Sequence, residues 1–276
     1  MSRPSKPVLL NVPAASQSTA TTKAARELLH EAHEQGTLSA AALATLDVVD
    51  VGAQIQAGLG VRVDDVAASE VVLLTMMPDD SSSIAAAGNT AAVREGHNLV
   101  LEALAASKQS GEVLAHTRYL NGHVLYPYGA LEHAVRMSAG NYDPRLGTPL
   151  YDQTAVLLGT VVAKAQELTA AGIAVRTVTL IITDGADYGS SRCRAADVRA
   201  LIKDLLAQEN HLVAAMGISD GSTDFRRVFG DMGIPDRWIL TPAGTATEIR
   251  RAFQVFSRSA IASGMTGAAG LGGFAN

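Results

Sequence analysis

Asp79, Ser81 and Ser83 stand at alternate positions in the run Pro78-Asp79-Asp80-Ser81-Ser82-Ser83-Ile84. In an extended loop, residues two apart project to the same side, so one carboxylate and two hydroxyls converge. Thr148, within Leu146-Gly147-Thr148-Pro149-Leu150-Tyr151-Asp152, offers a third hydroxyl, and Asp184, within Thr183-Asp184-Gly185, a second carboxylate. The set is all oxygen, without sulfur or imidazole. Such donors suit a hard divalent cation, Mg²⁺ or Mn²⁺, bound octahedrally at roughly 2.1 Å with waters completing the shell.

Each residue taken singly has a plainer explanation. Asp79 is a favoured helix cap. Thr148-Pro149 reads as an N-cap followed by proline at the first helical position. Asp184-Gly185 is an ordinary turn after a strand. Only their joint position, each just beyond a strand or before a helix, favours the metal reading. Asp80 adds a charge that either tightens the site or sits in solvent. Elsewhere, His30 and His33 lie three apart on a helix without a third zinc ligand, and read as surface histidines. Asp152 and Asp187 are explained by charge at a helix N-terminus. Cys193 has no paired histidine motif, and Arg226-Arg227 and Arg250-Arg251 read as solvated helix faces.

These loops need a scaffold, and the chain supplies one from about residue 70 onward. The apolar run 71–77 is followed by a helical pattern over 89–107, with Val93, Leu99, Val100, Ala103 and Leu104 at three- and four-residue spacing. Runs at 113–120 and 124–126 flank Asn121-Gly122, a hairpin-turn signal that makes them antiparallel neighbours. A short helix is expected over 130–137, a long one over 149–171 ending at Gly172, and a β-branched strand over 175–182. Then follow a helix over 194–208, a strand over 212–217, a helix over 223–232, a short strand over 238–240 and a closing helix over 245–262. Buried strands alternating with helices predict a doubly wound, Rossmann-like α/β fold with a mostly parallel six-stranded sheet and one antiparallel short strand. Ligand sites in such sheets lie beyond the strands' C-terminal ends.

Residues 1–68 form a helical N-terminal extension, 69–263 the main domain and 264–276 a flexible glycine-rich tail. The extension is expected to hold helices over 22–35 and 38–46 and a short strand at Val61-Arg62-Val63. It either packs on the main domain or binds a partner.

Of the 276 residues, 47% are hydrophobic and 18% charged, enough apolar surface for a large core and against wholesale disorder. Aromatics are only 4%, so that core is built from Ala, Val, Leu and Ile. Lys and Arg number 22 against 27 Asp and Glu, a net charge of −5 without a basic stripe, which argues against nucleic acid as a partner. The single cysteine excludes an internal disulfide and fits a reducing compartment. Val8-Leu9-Leu10 is too short for a signal-peptide core, and glycines break the uncharged tract after Ser259, so neither export nor a membrane span is expected.

The constellation resembles the metal-ion-dependent adhesion site of the von Willebrand factor A (vWA) family: Asp-x-Ser-x-Ser, a distant Thr and a distant Asp. Here the pattern is carried by Asp79, Ser81 and Ser83, by Thr148 and by Asp184, over about residues 69–263. Ser82 and Ile84 depart from the glycine and methionine usual in the family. The resemblance implies a vWA fold and binding rather than turnover. The hydroxyls would coordinate the cation, the aspartates would act directly or through water, and one position would stay open for an acidic side chain of a partner protein. It is similar to the bacterial cytoplasmic type, whose members act beside AAA+ ATPases of the MoxR type, in metal chelatases or in stress and tellurite-resistance systems. The leading expectation is thus a cytoplasmic, non-enzymatic adaptor. A structural subunit using the fold without metal is the alternative. A Mg²⁺-dependent phosphohydrolase is disfavoured, because it needs a second Asp two residues after the first and Ser81 occupies that place.

Overall fold

The computed structural model describes residues 15–107, 112–266 and 273–274. Residues 1–14, with the expected absence of a signal peptide, and most of the glycine-rich tail lie outside the described residues.

The sheet has six strands: β1 (Glu70–Met77), β2 (Val113–Arg118), β3 (Val124–Ala130), β4 (Ala174–Thr183), β5 (His211–Gly217) and β6 (Ile239–Leu240). Their order is β3-β2-β1-β4-β5-β6. Every pairing is parallel except β2 with β3, joined through the Asn121-Gly122 hairpin. The doubly wound, mostly parallel sheet expected from the alternation of apolar runs is therefore what forms. β1 and β4 are neighbours, paired from Glu70↔Ala174 to Met77↔Ile181. From β1 the chain winds outward through β2 and β3, then returns to β4 and winds the other way. The switch point lies between β1 and β4, where the loops after both strands open a crevice.

Helices cover both faces. On one side α5 (Thr90–Ala105) packs against α9 (Ala246–Thr266). Their approach is closest at Gly96, where an added Cβ would stand 2.0 Å from the Phe253 ring. On the other side lie α6 (Leu150–Ala170) and α7 (Ala195–Leu206). A one-turn α4 (Ser82–Ala86) follows β1, and α8 (Phe225–Asp231) follows β5.

The first helices are α1 (Ala15–Glu34), α2 (Ala40–Leu46) and α3 (Val49–Leu59). They pack on α6 and α7, and α3 also meets β3. Leu46, Ile55 and Leu59 share one core with the sheet residues. At Gly159 an added Cβ would lie 2.6 Å from Ile55 Cδ1, so α6 admits these helices only because that position has no side chain.

Several local expectations are corrected. The short strand at Val61–Val63 does not form: Val61 N donates once to Tyr128 O (2.7 Å) before a 3₁₀ turn at Val63–Asp65. β3 extends past Tyr126 to Ala130, with Pro127 exposed on this edge strand, where a missing N–H costs no pairing. Over 130–137 there is only a 3₁₀ turn, Leu131–His133, because Met137 is drawn into a reciprocal pair with the Asn98 side chain (both 2.9 Å). The closing helix runs on to Thr266. Ser257 and Ser259 support it by donating to the carbonyls of Phe253 and Val255, 2.8 and 3.0 Å away. Helix α3 was not anticipated, although Val51, Ile55 and Leu59 repeat at four-residue spacing and are all buried.

Candidate metal centre

β1 carries the chain to Asp79 and β4 carries it to Asp184. Since Met77 and Ile181 pair, both loops leave the sheet at the same level. Asp79 is fully buried and held at both oxygens. Its Oδ1 accepts from Ser81 N at 2.7 Å, and its Oδ2 from Thr183 Oγ1 at 2.7 Å and Asp184 N at 3.4 Å. Thr183 is itself fixed, accepting from Gly185 N at 3.1 Å. Asp79 thus ties the two loops together and does not cap α4.

Ser81 stands at the N-cap of α4, yet its hydroxyl makes no capping bond. Instead it lies 2.9 Å from Ser83 Oγ, which donates to Asp184 Oδ1 at 2.6 Å. Ser82 begins α4 and donates its N–H to Leu146 O at 2.9 Å, so the missing glycine leaves the turn intact. Ile84 is fully buried in the core.

Thr148 is brought in by strand-like pairings. Leu146 forms a parallel bridge with Ser81, and Thr148 an antiparallel bridge with Tyr188. Thr148 does not cap α6, whose N-cap position is Pro149. That helix end is closed from another loop: Tyr151 N donates to Asp187 Oδ1 and Ser190 Oγ (both 3.1 Å), and Asp152 N to Ser190 Oγ (3.0 Å). Thr148 is left just ahead of the helix, nine-tenths buried. The structure therefore links Ser81, Ser83 and Asp184 through hydroxyl contacts, positions Asp79 behind them, and bridges Leu146, two residues before Thr148, to Ser81.

Residues that sequence reasoning did not assign complete the support. Asp80 does not sit in solvent. It is buried, and its Oδ1 accepts from Asn121 N (3.0 Å) and Asn121 Nδ2 (2.8 Å). Asn121 Nδ2 also donates to Gly147 O at 2.7 Å, and Arg145 N to Asp80 O at 3.0 Å. The hairpin tip, the Asp79 loop and the Thr148 loop are thereby locked together. The Tyr142 hydroxyl donates to the Asp79 carbonyl. Only the hairpin signal at Asn121-Gly122 marked any of these in the sequence.

The electrostatics match the donor chemistry. Burial pushes Asp79 up to about 6, against hydrogen bonds from Ser81 and Thr183, and the nearby Asp184 charge adds to the rise. Asp184 is raised by burial, opposed by Ser83 and reinforced by Asp220. Asp80 is raised by burial too, opposed by Asn121. The groups opposing the shifts of Asp79 and Asp184 are hydroxyls and N–H groups, with no Lys or Arg among them. A buried carboxylate pair without a basic partner is relieved by a bound cation. The residues present fit a hard divalent ion on that ground.

Other candidates are structural. Asp152 accepts from the N–H groups of Ser191, Arg192 and Cys193 at 2.7–3.1 Å, bracing that loop. His30 faces Asp47 at 3.3 Å, and His33 Nδ1 lies 2.7 Å from Leu38 O. Burial, reinforced by Asp152, pushes the Cys193 thiol up to about 12. Among the described residues no group of three or more His, Cys, Asp or Glu side chains is placed to hold a metal, and no helix is long and apolar enough to cross a membrane.

No family model and no curated protein matches the chain. Solved structures do. The pilus adhesin SpaC from Lactobacillus rhamnosus GG, in its open conformation, is similar with a TM-score of 0.51 at 15% identity, over 70% of this chain and 30% of that one. Proximal thread matrix protein 1 from the mussel byssus, in a form with a zinc-occupied MIDAS motif, gives 0.45 at 13% identity, over 70% and 46%. The SpRpn10 VWA domain gives 0.46 at 10% identity, over 66% of this chain and 93% of that domain. The chain thus spans less than half of the adhesin and of the byssus protein. What it shares with the adhesin is a fold, the doubly wound α/β sheet.

Proposed function

We propose that this protein is a metal-dependent protein–protein interaction module, an adaptor that captures an acidic side chain of a partner through a divalent cation. Ser81, Ser83, Thr148 and Asp184 would hold the ion, Mg²⁺ or Mn²⁺, and Asp79 would orient them. One observation carries this reading. The Ser81 hydroxyl forgoes its helix cap and joins Ser83 and Asp184 at the switch point of the sheet. A cation held mainly by neutral hydroxyls and one carboxylate keeps net positive charge, and so attracts a carboxylate in trans. The ion supplies that charge; the chain's own residues orient it, and Asp79 braces both loops without needing direct coordination. An AAA+ ATPase is the partner class that the vWA resemblance suggests, and binding without turnover is part of the same proposal. So is a cytoplasmic setting, which the single buried cysteine favours.

Calorimetric titration of Mn²⁺ or Mg²⁺ into the wild type and the Ser81→Ala/Ser83→Ala variant tests the reading. Binding by the first and at least tenfold weaker binding by the second is expected. Equal binding by both, or none by the wild type, refutes it.

A further inference from the structure

Among the described residues, only four large hydrophobic side chains are strongly exposed, and the two most exposed are Tyr188 (81%) and Leu146 (54%). Neither position is random. Leu146 is bridged to Ser81 and Tyr188 to Thr148, so each apolar side chain springs from the backbone neighbour of a residue proposed above to hold the ion. Both stems are rigidly placed. Tyr188 and Thr148 exchange two backbone hydrogen bonds (2.8 and 3.1 Å), and Leu146 O accepts from Ser82 N at 2.9 Å. Antiparallel partners that exchange both bonds have Cα atoms about 5.5 Å apart, so the Tyr188 ring starts within one residue's reach of the Thr148 side chain. Arg145, beside Leu146, is engaged in an exposed ion pair with Asp143 (2.9 Å), so the rim beside the two apolar side chains carries little net charge from it.

We propose that this rim makes the site selective for an acidic residue carried in an extended segment with a bulky apolar or aromatic residue two positions away. The inference rests on the cation reading above and adds the partner's local sequence. In an extended strand, side chains two apart point the same way about 6.6 Å apart. A carboxylate entering the site therefore sets its i+2 or i−2 neighbour over Tyr188 or Leu146. Aromatic side chains on a fixed backbone are the residues from which binding hot spots are made, since little freedom is lost when they are covered.

The test is a displayed library of random nine-residue peptides, panned on the full chain in Mn²⁺ and in EDTA. With Mn²⁺ the wild type should enrich Asp or Glu together with an aliphatic or aromatic residue two positions away. The Tyr188→Ser/Leu146→Ser variant, changed only at exposed side chains, should keep the acidic preference, lose the apolar one, and bind the best wild-type peptide at least tenfold more weakly. Acidic enrichment without a neighbouring apolar position, or an apolar preference unchanged in the variant, overturns the rim and leaves the cation reading standing. Absence of acidic enrichment in Mn²⁺, or enrichment identical in EDTA, overturns both.

Discussion

Acid should unfold this protein through three buried histidines. His97 and His116 are fully buried and His211 is 4% exposed. Burial holds His97 and His211 near 4, and His116, with the Arg118 charge adding to the effect, at about 3. Their neighbours are neutral or positive: Thr117 and Asn98 beside His97, the Tyr126 carbonyl and Arg118 beside His116, and Thr177 beside His211. Since the folded pKa values lie below the ordinary 6.5, the unfolded chain binds protons that the folded one refuses. Stability is intact above 6.5 and falls as the pH drops toward 4. At pH 5 each imidazole costs about 2 kcal/mol relative to pH 8, or about 6 kcal/mol together. Asp79 works in the opposite sense, because its raised pKa lets the folded state take up a proton first, and returns about 1 kcal/mol. Asp80 and Asp184, also raised by burial, offset a further part, and the histidine contribution alone is comparable to the whole stability of an ordinary domain. Urea unfolding at pH 8, 6 and 5 in the presence of EDTA measures it. Replacing His116 with Phe keeps the ring's bulk and should shrink the difference between pH 8 and pH 5 by about 2 kcal/mol. A wild-type stability that is flat over this range, or imidazole resonances that titrate near 6.5 in the folded protein, would refute the reasoning.

Three further outcomes are expected. Arg118 is fully buried with its Nη2 donating to Gln54 O (2.9 Å), while Nε and Nη1 lack partners, so Arg118→Met should stabilise the protein by about 1–3 kcal/mol in urea titrations. Gly96→Ala improves helix propensity by about 1 kcal/mol but drives a Cβ to 2.0 Å from the Phe253 ring, so a net loss of about 1–3 kcal/mol in the same assay is expected. Cys193, buried and with its thiol held at about 12, should resist iodoacetamide at pH 8 in the native protein and react once unfolded, as mass spectrometry would show.

Much of the scaffold was legible in residue order. Short apolar, β-branched runs between turn signals favour buried strands, the three- and four-residue spacing over 89–107 favours an amphipathic helix, and Asn121-Gly122 specifies its turn through local backbone preference. These are short-range properties, set by neighbours along the chain. Spacing by two singled out Asp79, Ser81 and Ser83, but as an extended loop, whereas α4 begins at Ser82 and Ser83 lies in its first turn. The misreadings have the same origin in reverse. Residues 130–137 have helical composition, but the bonds between Asn98 and Met137 pull them out of a helix. Val61–Val63 looked like a strand, yet only one backbone bond to Tyr128 awaited it.

The use made of each polar group was settled by contacts between distant segments. Nothing local distinguishes Ser81 the cap from Ser81 the neighbour of Ser83, and the difference is made by Asp184, a hundred positions on. Asp79 and Asp80 are adjacent and identical in type. One reaches Thr183 and braces the crevice, while the other turns to Asn121 and holds the hairpin. Likewise Leu146 and Tyr188 are exposed because the bridges to Ser81 and Thr148 fix where their side chains leave the backbone. A side chain's chemistry is written in its type, but its partner is chosen by whichever strand ends lie beside it, and only the closed sheet decides that.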